Sequence, residues 1–384
     1  IEDNCQRVAE DNELVQDGAR FTLTEHQTRA IAEVGERLQN GEVKLLLKAP
    51  TGSGKTEVFF RSAVNQVLSS GKHVVIMVPT RDLARQQANY FEERLQGTDL
   101  EIIQMHAGIP PRTRRNQLDD FGQGNVKVVV GSAMMLKGAA HRRLLDDAGL
   151  LIVDDVNAFD EDEDLVNLRG LRCPILYVTA TPEAVGKFLG REGVLTNPVL
   201  ITQTPFDSPP TVLHEVRGEW NENIFKQMDR AMDMLKHHVE VGSRIYLISK
   251  TRARVPIMAQ YVLDRLGVPV SILHGEMADS IEHKKRQRKT KGGPVTASMG
   301  GNVTEDRVSM MKQFRENSPA VLVATNLVGS GLDVPMADLV VVTDADHFGA
   351  AEIEQLMGRV GRREKASDAV LIKGTAASAP RGQM

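Results

Sequence analysis

The segment Ala49-Pro50-Thr51-Gly52-Ser53-Gly54-Lys55-Thr56 decides the fold of this 384-residue chain. It lies between the apolar run Leu45-Leu46-Leu47 and an amphipathic stretch, so it predicts a turn from a strand into a helix. Two glycines, a lysine and a threonine at this spacing let backbone N–H groups and a helix N-terminus surround phosphate oxygens. The usual first glycine is Ala49 here, while the Gly-Lys-Thr end is intact. We therefore expect a phosphate-binding loop.

The same pattern, a short apolar run followed by a turn and an amphipathic stretch, repeats along most of the chain. Runs this short, rich in leucine or β-branched residues, are typical of buried parallel strands, and their alternation with helices predicts α/β domains with doubly wound parallel sheets. The predicted strands are residues 44–48, 74–78, 102–105, 126–130, 150–153 and 175–178, then 245–249, 270–273, 321–324, 339–343 and 369–372.

The pattern stops once and then restarts, which predicts two tandem domains. Pro205, Pro209 and Pro210 interrupt any helix or central strand, so this region is interpreted as a linker. The predicted divisions are a lead-in (residues 1–20, helical or loose), a first domain (21–203), a linker (204–222), a second domain (223–374) and a tail (375–384). Residues 284–307 form a predicted insertion whose basic start fits either an added nucleic-acid contact or a solvated loop.

Bulk composition narrows the classes of function. The formal net charge is −4, so nucleic-acid binding would depend on local contacts and not on the charge of the whole chain. The two cysteines, Cys5 and Cys173, suggest no disulfide framework and fit a reducing intracellular, cytoplasmic location. No run is long enough to predict a membrane span.

A second acidic motif complements the phosphate loop. The run Leu150-Leu151-Ile152-Val153 ends in Asp154 and Asp155, which places both carboxylates at the carboxyl edge of the predicted sheet, beside the loop. We expect Lys55 to reach the β and γ phosphates of ATP, and Thr56 and Asp154 to hold Mg²⁺. Asp155 would orient and deprotonate the attacking water, or merely cap the strand.

Gln27, upstream of the loop, has two interpretations. Its amide could pair with the edge of adenine. Thr24 followed by Gln27 also predicts a helix capping box, which is purely structural.

These segments, in this order, resemble superfamily 2 helicases and translocases over residues 21–373. The resemblance implies two RecA-like domains of the P-loop NTPase class around one ATP site. The matching segments are Gln27, Gly52–Thr56, Pro79–Ala84, Asp154–Asn157, Thr179–Thr181, Ser249–Arg252, His274–Met277, Ala324–Asn326, Gly329–Pro335 and Gln355–Arg362.

The resemblance also assigns roles to individual residues. Motif VI would bring Gln355 and two arginine fingers, Arg359 and Arg362, to the γ-phosphate, and motif V would bring Gly331 and Asp333 to the nucleotide. Thr51, Gly52, Ser53 and Gly54 complete the phosphate contacts. The implied contacts with the nucleic-acid backbone are Thr80, Arg81, Gly108, Ser132, Lys250, Thr251, His274, Gly275 and Thr325.

Within the family, Gly358-Arg359-Val360-Gly361-Arg362 looks most like the double-strand DNA translocases of the RecG and Mfd type. Asp154-Asp155-Val156-Asn157 looks more like the ComFA competence ATPase. DNA is therefore favoured over RNA as the track, that is, the nucleic acid along which the protein would move. The chain has neither the zinc module of ComFA nor the accessory domains of RecG and Mfd, so partners or flanking sequence would supply them. The core is expected to be monomeric.

One departure from the family's sequence motifs affects the expected rate of ATP hydrolysis. The family's second motif has Asp-Glu where this chain has Asp154-Asp155, and the shorter side chain predicts slow hydrolysis. A slow or partner-dependent ATP-gated clamp therefore stands as an alternative. A motor on RNA is a second alternative, because neither set of motifs reads bases. A P-loop kinase or GTPase would not need the segment from Gln355 to Arg362.

Overall fold

The computed structural model describes residues 13–16, 19–50, 52–121, 126–202, 211–219, 222–273, 314, 316–325, 337–358, 360–361 and 367–374. The chain divides into two units, residues 1–205 and 206–384, each with its own sheet. Among the described residues, no helix is both long and apolar enough to cross a membrane.

The first unit is built on a parallel sheet of seven strands in the order β5-β6-β4-β7-β8-β3-β9. The strands are β3 (Lys44–Lys48), β4 (Val74–Val78), β5 (Glu101–Met105), β6 (Val126–Ser132), β7 (Leu150–Val153), β8 (Ile175–Thr179) and β9 (Val199–Leu200). The helices are α1 (Glu25–Gln39), α2 (Lys55–Ser70), α3 (Arg81–Arg94), α4 (Pro111–Phe121), α5 (Ala139–Asp146) and α6 (Gly186–Glu192). A separate antiparallel hairpin, β1 (Glu13–Gln16) with β2 (Ala19–Thr22), precedes them.

Both faces of this sheet are covered by apolar layers. Successive side chains of a strand point to opposite faces, so Leu45 and Leu47 pack in one layer while Leu46 packs in the other. All three are fully buried. This double burial explains why the predicted strands appear in the sequence as uninterrupted apolar runs.

The second unit repeats the plan with a parallel sheet in the order β10-β15-β14-β11-β13-β12. Its strands are β10 (Val212–Gly218), β11 (Arg244–Ile248), β12 (Val270–Leu273), β13 (Ala320–Ala324), β14 (Leu339–Val342) and β15 (Asp368–Gly374). Its helices are α7 (Ile224–Arg230), α8 (Met232–Glu240), α9 (Val255–Leu266) and α10 (Ala350–Met357). The predicted pair of α/β parallel-sheet domains is confirmed.

Two local expectations differ from the structure. Glu13–Gln16 and Ala19–Thr22 pair as antiparallel strands where a helix or a loose lead-in was expected. Strand β10 lies inside the predicted linker and pairs along its whole length with β15. The predicted insertion at residues 284–307 and the tail at 375–384 lie outside the described residues.

Candidate nucleotide site and nucleic-acid face

The phosphate loop connects β3 to α2 at the carboxyl edge of the first sheet. Its two glycines adopt left-handed conformations, with φ of 85° at Gly52 and 75° at Gly54, which side chains with a Cβ rarely adopt. Helix α2 begins directly at Lys55, so the N-terminal end of its dipole faces the loop. Thr51 lies outside the described residues.

Lys55 lies between the two acidic residues that follow β7. Its ammonium pairs with Asp155 and lies 3.4 Å from Oδ1 of Asp154. Burial alone lowers the pKa of Lys55, but the two carboxylates raise it more, so the pKa lies above its ordinary value. The structure thus brings together three of the residues predicted to carry the chemistry, Lys55, Asp154 and Asp155.

The Asp154 carboxylate is held on both of its oxygens. Oδ1 accepts from the backbone N–H of Asp155 at 3.0 Å, and Oδ2 accepts from Nε2 of Gln87 at 2.9 Å. Only 3% of the side chain is exposed. Burial raises the pKa of Asp154, Lys55 lowers it and Asp155 raises it again, to about 6.

Asp155 has an unusual backbone for a residue with a side chain. Its φ of 50° lies in the left-handed region, where Asp is tolerated better than most residues. This turn leads into a single helical turn at Val156–Ala158. The conformation leaves 21% of the Asp155 side chain exposed, more than for Asp154.

Gln27 is engaged with protein groups at both ends of its amide. Oε1 accepts from Thr24 N at 2.9 Å and completes the capping box of α1, while Nε2 donates to the Ser53 carbonyl at 2.8 Å. The capping interpretation is confirmed, and the same side chain also supports the phosphate loop. Its contact with adenine stays a prediction.

The second and third motifs are joined by a hydrogen bond between strand ends. Thr179 Oγ1 donates to Asn157 Oδ1 at 2.6 Å, and Thr181 N donates back to Thr179 Oγ1 at 3.0 Å. Since β8 lies between β3 and β7, this pair connects the segment that follows Asp155 to the strand beside the phosphate loop.

The residues present fit a magnesium nucleotide. Ser53 Oγ is buried in the loop with no hydrogen-bond partner among the described residues, and a phosphate oxygen would satisfy it. A hydroxyl at Thr56 and a carboxylate at Asp154 are the oxygen ligands that Mg²⁺ prefers. These two residues would hold the ion.

The remaining predicted contacts of the first unit lie farther along the same sheet edge. Thr80 and Arg81 follow β4, Gly108 follows β5 and Ser132 ends β6, and these three strands are neighbours. Thr80 caps α3 through its hydroxyl, which accepts from Leu83 N at 3.3 Å. Ser132 is only 8% exposed. The sheet edge therefore carries the nucleotide residues on one side and the candidate nucleic-acid contacts on the other.

In the second unit, Lys250 and Thr251 follow β11 and Thr325 follows the neighbouring β13. Lys250 already has a protein partner: its ammonium is 2.8 Å from both carboxylate oxygens of Glu352 and 4.9 Å from the centre of the Phe348 ring. His274 and Gly275 lie outside the described residues. All these contacts with nucleic acid stay predictions.

The motif with the candidate arginine fingers is described only in part. Gln355 lies in α10, while Arg359 and Arg362 lie outside the described residues, as do Gly331 and Asp333 of motif V. Gly361 has a φ of 82°, and a Cβ at this position would collide with Ser367 Oγ. The motif therefore needs glycine at this position for the backbone itself.

Two further groups beside the site were missed by the sequence reasoning. Gln87 holds Asp154, and the buried Glu57 accepts from Arg61, Arg94 and Tyr90 at 2.7–2.8 Å. The signal for Gln87 was available, because it shares one helical stripe with Ala84, Ala88 and Phe91 in α3. A polar residue on an apolar stripe indicates a buried partner.

The fold and this site define a P-loop protein with two RecA-like domains. Residues 24–188 match the family described as DEAD/DEAH box helicase, and residues 226–364 match the helicase conserved C-terminal domain. The chain belongs to the superfamily 2 helicases.

Two curated relatives refine the comparison. The chain is 25% identical over 355 residues to the ATP-dependent DNA helicase RecG of Streptococcus pneumoniae, covering 92% of this chain and 48% of the relative. It is 27% identical over 349 residues to the transcription-repair-coupling factor of Staphylococcus aureus, covering 90% of this chain and 26% of the relative. The chain therefore spans about half, or less, of the curated relatives that it matches.

Solved structures share the fold. The structure of RecG bound to a three-way DNA junction matches with a TM-score of 0.61 at 22% identity, covering 93% of this chain and 43% of that one. The DEAD-box helicase Mss116 bound to single-stranded RNA matches with a TM-score of 0.65 at 15% identity, covering 91% and 70%.

Proposed function

We propose that this chain is the motor core of an ATP-dependent DNA translocase or helicase. One observation carries the proposal: Lys55 of the phosphate loop lies against Asp154 and Asp155, at the sheet edge that also presents Thr80 and Arg81. A single rigid sheet then holds both the hydrolytic groups and the contacts to a phosphate backbone.

Lys55 and Asp155 form an ion pair in this site. With ATP bound, Lys55 would pair with the β and γ phosphates. Asp155 would orient the attacking water and accept its proton. Bound Mg²⁺ supplies positive charge to the transferring phosphoryl group. Asp154 and Thr56 would hold this ion.

The second domain is proposed to contribute Gln355, Arg359 and Arg362 to the γ-phosphate. An arginine finger is typically worth about 10³-fold or more in rate. Hydrolysis would then depend on both domains and could drive their relative motion along the backbone.

DNA is the proposed track because the curated relatives that match most of this chain are named as a DNA helicase and a transcription-repair-coupling factor. RNA remains the alternative that the test below addresses. Because the relatives are longer, a partner protein or further sequence is proposed to supply duplex recognition. A monomeric core and an intracellular location complete the proposal.

The test is steady-state ATP hydrolysis without polymer and with single-stranded DNA, duplex DNA, forked DNA or RNA, each at two salt concentrations. We expect duplex or forked DNA to stimulate turnover most, and higher salt to weaken the stimulation. Lys55→Ala should abolish hydrolysis. Lys44→Ala is the matched control, since its ammonium pairs with Glu192 at the other end of the strand.

Stimulation by RNA alone would replace DNA with RNA as the track. Low turnover that no polymer changes would contradict the motor and favour an ATP-gated clamp. The shorter side chain of Asp155 is the feature of the sequence that supports this alternative.

A further inference from the structure

Helix α3 joins two regions with different proposed tasks. Its first turn carries Thr80 as cap and Arg81, which are candidate contacts with the nucleic-acid backbone. Its middle carries Gln87, whose amide reaches Asp154, the candidate ligand of Mg²⁺. One continuous helix therefore connects the nucleic-acid face to the metal site without an intervening loop.

Gln87 is placed to control the Asp154 carboxylate. It is 5% exposed and donates from Nε2 to Oδ2 at 2.9 Å. The other oxygen, Oδ1, accepts from a backbone N–H of the turn at 3.0 Å. Two donors on opposite oxygens fix the rotation of a carboxylate, and a hydrogen bond to a charged group is stronger than one between neutral groups.

The remaining atom of the Gln87 amide is an acceptor without a partner. Oε1 is buried and makes no hydrogen bond among the described residues. Buried acceptors of this kind are rare, and each calls for an explanation. Since Mg²⁺ in nucleotide sites keeps several of its water ligands, a water held by an ion at Asp154 would be a donor of the right kind.

The end of α3 is also fixed to the helix that starts at the phosphate loop. Tyr90 and Arg94 donate to Glu57 at 2.8 Å each. Glu57 follows Thr56, the second candidate ligand of Mg²⁺. A displacement of α3 would therefore act on both proposed ligands, on Asp154 directly and on Thr56 through its neighbour.

We propose that Gln87 is a positioning residue that orients Asp154 for Mg²⁺ and couples this site to nucleic acid bound at the start of α3. The proposal rests on the proposed function, because it requires the nucleotide site and the nucleic-acid face to be as assigned. Groups that orient a metal ligand typically contribute about 10- to 100-fold to metal affinity.

The test uses Gln87→Leu in the full chain, which keeps the side-chain volume and removes the donor and the acceptor. The control is Gln66→Leu, since Gln66 lies in α2 of the same unit and donates to the Gly149 carbonyl at 3.1 Å, away from the acidic turn. Binding of a fluorescent ATP analogue is titrated without metal and at increasing Mg²⁺, and Mn²⁺ binding is followed by electron paramagnetic resonance.

We expect Gln87→Leu to leave binding of the metal-free nucleotide within about twofold of wild type. The concentration of Mg²⁺ for half-maximal binding should rise about 10-fold or more. Gln87→His, which offers a nitrogen donor, should recover part of the loss, while Gln66→Leu should match the wild type. Equal Mg²⁺ dependence in Gln87→Leu and wild type would overturn the positioning role.

The coupling is measured on the same proteins by repeating the titrations with saturating duplex DNA. If DNA changes the affinity of the wild type for the magnesium nucleotide, Gln87→Leu should bring that ratio closer to one. An unchanged ratio would overturn the coupling. A wild type that binds no polymer would instead contradict the proposed function, and the Mg²⁺ titration would still test the positioning role.

Discussion

Asp155 combines a strained backbone with a short side chain at the position proposed for the base. Replacing it by Glu extends the carboxylate by one methylene toward the water, and an error of about 1 Å in such a position can cost roughly 10²-fold in rate. We therefore expect Asp155→Glu to raise the turnover number by up to about that factor, measured by single-turnover and steady-state hydrolysis.

The same substitution should slightly lower the melting temperature. The φ of Asp155, 50°, lies in the left-handed region, where Asp is more frequent than residues with longer side chains. Asp155→Asn is the control, because it keeps the conformation and removes the base. Turnover that stays level or falls in Asp155→Glu would show that the geometry has adapted to aspartate.

Gly361 offers a second test at the scale of one residue. Its φ of 82° and the crowding by Ser367 leave no room for a side chain. Gly361→Ala should destabilise the second domain by about 1–3 kcal/mol, measured by urea unfolding followed by circular dichroism. Gly349→Ala is the control, since its nearest neighbour, Glu352 Oε2, would be 3.8 Å from the added Cβ and no positive φ is involved. Equal losses in both variants would contradict this account of the motif.

At the scale of elements, Glu57 is the buried anion that ties α2 to α3. Its carboxylate accepts hydrogen bonds from Arg61, Arg94 and Tyr90, and 6% of its side chain is exposed. Removing one partner of a buried ion pair typically costs about 3–5 kcal/mol. Glu57→Gln should therefore destabilise the first domain by about 3 kcal/mol, measured by chemical unfolding.

The matched control is Glu33→Gln, which removes a partner of an arginine four residues away in α1. That pair spans 3.4 Å, and 39% of the Glu33 side chain is exposed, so its loss should cost under about 1 kcal/mol. A cost for Glu57→Gln no larger than that for Glu33→Gln would show that the helices are held by their apolar contacts alone.

The strands predicted correctly from the sequence are those whose own residues indicate that both faces are buried. The runs at Lys44–Lys48 and Val74–Val78 are apolar on both faces, and their ends match the structure. Strand β10 has no such pattern: Val212 and Leu213 are about half exposed, and the strand alternates with His214, Glu215 and Arg217. Its structure comes from pairing with β15, more than 150 residues away, which no local pattern reveals.

The candidate site divides in the same way. Lys55, Asp154 and Asp155 were predicted because a fixed spacing of glycines, lysine and acids carries the chemistry. Gln87 and Glu57 act through hydrogen bonds between separate elements, and only the folded chain brings α3 beside α2 and beside the turn that follows β7.

At the scale of the whole molecule, both domains contain the same acidic turn, but the groups that surround the turn differ. Asp155 follows β7 and Asp344 follows β14, both with a φ of 50° and both before a single helical turn. In the second domain Asp344 accepts from Gln227 and pairs with Arg254. Among the residues that the structure describes, this copy of the acidic turn is thus satisfied by protein groups, and only the first domain has the phosphate loop beside it.

The distribution of charge leads to the last prediction. With a net charge of −4, the proposed binding of a phosphate backbone would depend on few cationic contacts, of which Arg81 is the one proposed at the start of α3. The logarithm of the affinity for duplex DNA falls with the logarithm of salt concentration by about 0.9 per neutralised phosphate. Arg81→Ala should therefore reduce this slope by about 1 and weaken binding uniformly across sequences.

Arg172→Ala is the matched control for the loss of one positive charge. Its side chain is 78% exposed and precedes β8, at the amino edge of the sheet, away from the proposed face. Fluorescence anisotropy at four or more salt concentrations gives both slopes. An equal small change in both variants would mean that the duplex senses only the overall charge, while a change confined to Arg81→Ala supports the carboxyl edge as the surface that carries the track.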